Sequence, residues 1–202
     1  MGISARPKIQ SFSNIPFFHT TEIVNKLLFG AEKPEDCYLV TQKDAAEKFC
    51  GFQGDNLASV LIKPLFWVDI IHYFKRTDFR PAPSVDVVLL QLEKRKCPLV
   101  SKNDYGLYKD FIVFTREGAS RMIKTSFKEL LTYPQIKQLS KLLKIDYHSY
   151  PSVLNFQQYL GLFQFFKEHN SRKKEMVIGA ETRLRRQEAQ MVKTYRTKRG
   201  QQ

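Results

Sequence analysis

The sequence predicts a mainly α fold of helix-loop-helix pairs, with an extended arm over residues 1–20, a helical body over 21–170 and a basic tail over 171–202. Three observations carry that expectation. Apolar residues recur at helical spacing on both sides of a polar loop, with Ile136, Leu139, Leu142 and Leu143 before it and Phe156, Leu160 and Phe163 after it. A similar helix, loop and helix order can be set out three times upstream. The charge is uneven: residues 171–202 hold ten Lys and Arg against three Glu, a net of +7 out of +13 for the whole chain.

In chain order, the arm places Pro7, Pro16, Ser11, Ser13 and Asn14 around Phe12, Phe17 and Phe18. Phenylalanines left in water are costly, so these three are the predicted contacts to a partner protein. The run TTEIVNKLLFG reads as a helix that Thr20 or Thr21 caps and Gly30 stops, and AEKPEDC as the loop after it. Then come a short apolar strand, YLV, and a helix, TQKDAAEKF, capped by Thr41. Asn56 to Lys75 reads as a helix kinked or restarted at Pro64, with Trp67, Ile70, Ile71 and Phe74 on one face. After the loop TDFRPAPS, the run VDVVLLQLEKRK is assigned as a helix on the strength of Ser84 as a cap and the closing basic residues, while its valines favour the competing strand. YKDFIVFTREGASRMIKTSFKELL supplies another helix, loop and helix, with FIVF open to a strand reading.

The last loop shows what chemistry is excluded. From Asp146 to Gln157 it has the twelve-residue length of a calcium loop, but the ligand positions hold Asp146, His148, Tyr150 and Gln157, and Pro151 stands where the turn needs glycine. On these residues the body resembles a degenerate member of the EF-hand, calmodulin-like superfamily, with Leu39, Val85, Met122 and Val153 at the loop-pairing positions. That resemblance implies all-α lobes, 21–100 and 101–170, which clasp a partner polypeptide independently of calcium. The chain is expected to bind no metal and no cofactor.

Composition sets further bounds. The longest apolar run, Val60 to Phe74, is broken by Lys63, Pro64, Asp69 and His72, so no membrane span is expected. The N-terminus lacks an apolar signal core, and Cys37, Cys50 and Cys97 form no paired framework; a cytoplasmic, reducing location follows. His19, His72, His148 and His169 have no metal-ligand spacing. Phosphate-loop, nucleophile-elbow and zinc-protease motifs are absent. Asp69 with His72, three apart on an expected helix, and Cys50 are weak candidates for catalysis, so the chain reads as a non-enzyme.

The expected function is that of a structural or adaptor protein in a cytoskeletal or ciliary assembly. Its tail, through Arg172, Lys173, Lys174, Arg183, Arg185, Arg186, Lys193, Arg196, Lys198 and Arg199, would dock on an acidic polymer such as a microtubule. Alone, that tail is expected to be disordered or a frayed helix. The alternative is an RNA-binding structural subunit of a ribosome or other ribonucleoprotein.

Overall fold

The computed structural model describes residues 10–16, 20, 23–24, 26, 34–117 and 121–199, with the side chains of Ser171 and of 191–199 left aside. It divides into two compact units, Met1–Leu99 and Val100–Gln202.

The first unit is built on a four-stranded sheet, not on helix pairs. β1 (Gln10–Asn14), β2 (Asp36–Gln42), β3 (Phe66–Tyr73) and β4 (Val87–Lys94) lie in the order β1-β2-β4-β3. β1 runs parallel to β2, and the other two pairings are antiparallel. Side chains alternate across a strand, so register decides which residues share a face. Leu39 lies opposite Leu90 and Leu90 opposite Ile70, while Cys37, Leu92 and Val68 form the next row. That face packs on Ala46, Phe49 and Cys50 of α1 (Lys43–Cys50) and on Ile62 of α2 (Leu57–Ile62). Gly51, at φ +71°, ends α1 with its N–H on the Glu47 carbonyl, a left-handed cap that side chains disfavour. Asn56 and Ser59 form a reciprocal capping box at the start of α2.

The EF-hand assignment fails here for identifiable reasons. The expected helix from Asn56 to Lys75 stops at Ile62, before Pro64, and FWVDIIHY continues as β3, where its aromatic and β-branched residues fit a pleated surface. VVLLQLEK is β4 and not a helix, buried between β2 and β3. The basic residue taken as a helix end, Arg95, donates from Nε to the Lys63 carbonyl at 2.8 Å and lies over the Trp67 ring. Gln10–Asn14 of the extended arm form β1. Leu39 is buried in mid-strand, Val85 precedes β4, Met122 is 39% exposed and Val153 65% exposed, so the four supposed pairing residues share no ladder.

The second unit is helical: α3 (Tyr105–Arg116), α4 (Ile123–Ser126), α5 (Tyr133–Leu142), α6 (Phe156–His169), α7 (Lys174–Val177) and α8 (Ala180–Arg199). Its core is aromatic. Phe163 meets Tyr108 at 5.1 Å and Phe111 at 5.6 Å between ring centroids, and Phe111 meets Phe166 at 5.1 Å. In the loop once compared with a calcium site, Asp146 accepts the His148 N–H at 2.9 Å, so its carboxylate serves a local turn. Among the described residues no group of three or more His, Cys, Asp or Glu is placed to hold a metal.

The tail also differs from expectation, because its helix is tied down at its start. Both carboxylate oxygens of Asp110, on α3, accept backbone N–H groups of Gly179 and Glu181 at 3.0 Å. They satisfy donors that a helix start leaves open. Val177 and Ala180 are fully buried beside that cap. No described helix is long and apolar enough to cross a membrane.

Candidate active site at the carboxyl end of the parallel strands

Parallel strands bring their carboxyl ends to one edge of a sheet, and ligands of open α/β sheets bind outside that edge. Here the edge begins with Asn14, Ile15 and Pro16. Asn14 pairs with Val40, and the Ile15 N–H donates to the Val40 carbonyl at 3.2 Å. Ile15 is 3% exposed and joins the core, whereas Asn14 and Pro16 on either side of it are exposed. Proline has no N–H to continue the ladder, so the pairing ends here. Beyond it, the Thr20 and Thr41 hydroxyls, both buried, share a hydrogen bond at 3.1 Å that ties the following segment to the end of β2.

The segment joining β3 to β4 closes the same edge, since Gln42 of β2 pairs with Val87 and Tyr73 of β3 with Val88. The Phe74 N–H donates to the Val87 carbonyl at 3.0 Å and the Lys43 N–H to the Asp86 carbonyl at 2.9 Å. Asp78 accepts the Lys75 N–H at 2.8 Å, and Arg76 pairs with Asp86 at 3.2 Å. Phe74 stacks edge to face with Phe79 at 5.4 Å and with His72 at 4.7 Å. This loop is therefore fixed at both feet and propped by rings.

The two buried thiols of this unit, Cys37 and Cys50, are poor nucleophiles at neutral pH. Burial, then the nearby Asp36, pushes the Cys37 thiol up to about 11; burial, then Asp69, pushes Cys50 up to about 12. Asp69 and His72 lie on a strand, where the helical-face argument for pairing them does not hold, and Asp69 accepts the Ile70 N–H at 2.8 Å. What the edge offers is the exposed Asn14 side-chain amide, whose oxygen is an acceptor suited to an N–H group of a planar amine.

Of the predicted contact residues, Phe12 is 70% exposed on β1, while Phe17 and Phe18 lie outside the described residues. The predicted tail residues Arg172, Lys174, Arg183, Arg185 and Arg186 are exposed and Lys173 is half-buried. Arg185 pairs with Glu181, and Arg183 donates to the Ile178 carbonyl at 3.3 Å. The side chains of Lys193, Arg196, Lys198 and Arg199 lie outside the described residues, although α8 runs through them. The second unit as a whole, residues 100–202, holds twenty Lys and Arg against nine Asp and Glu, a net of +11. Asn14 and Pro16 were read from sequence only as parts of the extended arm, not as candidate site residues. Their signal was an apolar residue between an amide and a proline, in a stretch whose proline, serine and asparagine content suggested only an extended arm.

Comparison with known proteins gives this edge its context. A family profile described as ribosomal RNA adenine dimethylase matches residues 3–168. The rRNA adenine N-6-methyltransferase of Staphylococcus aureus strain Mu50 is 27% identical over 158 residues, 77% of this chain and 58% of that protein. Ribosomal RNA small subunit methyltransferase A of Mycoplasmopsis pulmonis is 26% identical over 136 residues, 66% of this chain and 52% of that protein. The chain thus spans little more than half the length of these relatives. The crystal structure of the 23S rRNA methyltransferase ErmE shares the fold, with a TM-score of 0.71 at 23% identity over 82% of this chain and 68% of that one. These findings overturn the expectation of a non-catalytic EF-hand adaptor with cytoskeletal or ciliary placement, and tubulin is left without support as a partner. With the profile running from before β1 nearly to the end of α6, the chain belongs to the ribosomal RNA adenine dimethylase family.

Proposed function

We propose that this protein acts in the N6-methylation of adenine in ribosomal RNA, with Asn14 to Pro16 receiving the target base and the cationic helical unit holding the RNA in a cytoplasmic setting. The observation that carries the reading is the exposed amide of Asn14, at the carboxyl end of the parallel strands, in a chain that matches an adenine dimethylase profile. Methylating an exocyclic amine requires that its nitrogen be held and turned toward the methyl group, and that one proton leave the product. Neither a nucleophile nor a metal is needed. The Asn14 side-chain oxygen and a neighbouring carbonyl can accept both N–H groups of such an amine, which fixes the plane of the base. The relatives named above act on ribosomal RNA by their names, and the net charge of +11 in the second unit favours the same polyanion.

The reaction also needs a sulfonium methyl donor such as S-adenosylmethionine, and among the described residues no glycine-rich turn that would hold one follows a parallel strand. Nucleotide-type ligands in doubly wound sheets sit on a glycine-rich turn that follows a parallel strand. The described glycines of the first unit, Gly51 and Gly54, follow α1, and a Cβ at Gly51 would lie 2.5 Å from the Asp55 carboxylate, so that space is filled by the chain itself. No step is therefore assigned to a donor here.

The test is to incubate the protein with ribosomal RNA and methyl-labelled S-adenosylmethionine and to digest the RNA to nucleosides. Label in N6-methyladenosine and N6,N6-dimethyladenosine supports the reading. Label in another nucleoside, or none in RNA that the protein binds, rejects it.

A further inference from the structure

The second unit displays aromatic rings to which the proposal above gives no role. Tyr133 opens α5 and is 59% exposed. Tyr147 meets it edge to face with ring centroids 6.4 Å apart, and the His148 ring lies 4.4 Å from Tyr147 in a tilted stack. The backbone fixes these rings: the Lys124 N–H donates to the Tyr147 carbonyl at 3.0 Å and the Ile123 N–H to the Ser149 carbonyl at 2.8 Å. Lys124 Nζ lies 3.4 Å from His148 Nδ1. The helical repeat puts Lys137 and Lys141 on the Tyr133 face of α5, four and eight residues on, and both are exposed, whereas Ile136, Leu139 and Ser140 turn inward. The carboxylate in this loop, Asp146, is occupied by the His148 N–H. An aromatic cluster serving only to stabilise the hairpin would bury its rings, and Tyr133 remains mostly open.

We propose that Tyr133, Tyr147 and His148 form a stacking platform for an unpaired base of the RNA substrate, with Lys137 and Lys141 neutralising phosphates of the same strand. This rests on the reading of the protein as one that acts on ribosomal RNA, and it assigns the contact to unpaired rather than duplex RNA. Ring faces beside cations are the combination that single-stranded nucleic acid uses, because every base has a face to stack and every nucleotide a phosphate. An acidic peptide would engage the lysines but leave the rings idle.

The experiment measures binding of the full chain to a single-stranded oligoadenosine RNA and to a blunt RNA duplex of equal length. Wild type is compared with Tyr133→Ala, Tyr133→Phe and Lys137→Gln/Lys141→Gln, with circular dichroism confirming the fold of each. Tyr133→Ala is expected to weaken the single strand roughly 10-fold, in the range of one lost base stack, with the salt slope unchanged. Tyr133→Phe retains a ring and should keep wild-type affinity. The double lysine variant should make the salt slope shallower by about 1.4, from two phosphate contacts on a single strand. The duplex should be indifferent to Tyr133→Ala. Wild-type binding with no effect of Tyr133→Ala overturns the platform and leaves the RNA reading in place; so does equal loss for duplex and single strand. Failure of wild type to bind either RNA overturns both.

Discussion

The two units of this chain solve different problems with different means. Residues 1–99 carry thirteen Lys and Arg against eleven Asp and Glu, a net of +2, on a sheet whose strands pair across long separations in sequence. Residues 100–202 carry a net of +11 on helices closed by local caps and an aromatic core. A nearly neutral sheet unit with an exposed amide at one edge suits the discrimination of one planar base. A cationic helical unit suits a polyanion whose sequence it does not read. On the proposed function, the difference teaches that the strongest electrostatic signal in the chain would mark where RNA is held, and a small uncharged turn where selectivity would arise.

The comparison can be broken or sharpened by substitution. The largest effect is expected in the helical core: Phe163, 2% exposed and packed on Tyr108 and Phe111, should cost about 3–5 kcal/mol when changed to Ala. Asp146→Ala in the exposed loop should cost under about 1 kcal/mol. Denaturant midpoints in the reverse order would mean that the loop, and not the rings, organises this unit.

Next comes charge. Changing Arg172, Lys174 and Arg186 to Gln together should make the salt dependence of RNA binding shallower by about 2, while leaving the fold intact, if each meets a phosphate. An unchanged slope would remove these side chains from the RNA surface. Smaller again is the cap on α8. Asp110→Ala leaves the Gly179 and Glu181 N–H groups without their acceptor and should cost about 1–2 kcal/mol, read from loss of helical circular dichroism and a lowered midpoint.

The smallest effect depends on pH. The Ser101 hydroxyl, then Lys167 at 3.0 Å, hold the Asp104 carboxyl below its usual pKa of about 3.9. A depressed carboxylate contributes stability that is present above that usual value and is lost as pH falls through the folded one. The stability difference between wild type and Asp104→Asn should therefore be flat from neutral pH to about 5 and shrink below about 4. A difference that grows on acidification would contradict the assignment.

The helical unit was legible because its signals are local. The 3.6-residue period of Ile136 and Leu139, and of Phe156, Leu160 and Phe163, survives in the structure as α5 and α6, and what misled was the superfamily laid over them. The sheet was legible only in part, at the YLV strand within β2 and in the valines that favoured a strand at β4, and its pairing was hidden for the opposite reason. Gln10–Asn14 pairs with Asp36–Val40, and β3 with β4, through contacts no local pattern announces. β4, flanked by β2 and β3, places Val87, Val88, Leu90 and Leu92 in the interior, an apolar run that reads equally as a buried helix. The site was missed along with the sheet, since Asn14 gains meaning only once Ile15 is known to anchor the end of a parallel strand. The tail charge was visible from composition, but the Asp110 cap that orders its helix joins residues about 70 apart in the chain and had no sequence signal.

The most direct test of this division of labour is one comparison on ribosomal RNA: methyl transfer to adenine and RNA affinity, measured side by side for wild type and Asn14→Ala. The account predicts that Asn14→Ala lowers the methyl-transfer rate by about 100-fold, the scale of losing one hydrogen-bonding group aimed at the reacting centre, while RNA affinity stays within about 2-fold. A variant that methylates at the wild-type rate, or one whose rate falls only in step with its affinity, would contradict the claim that the base is held at the end of β1.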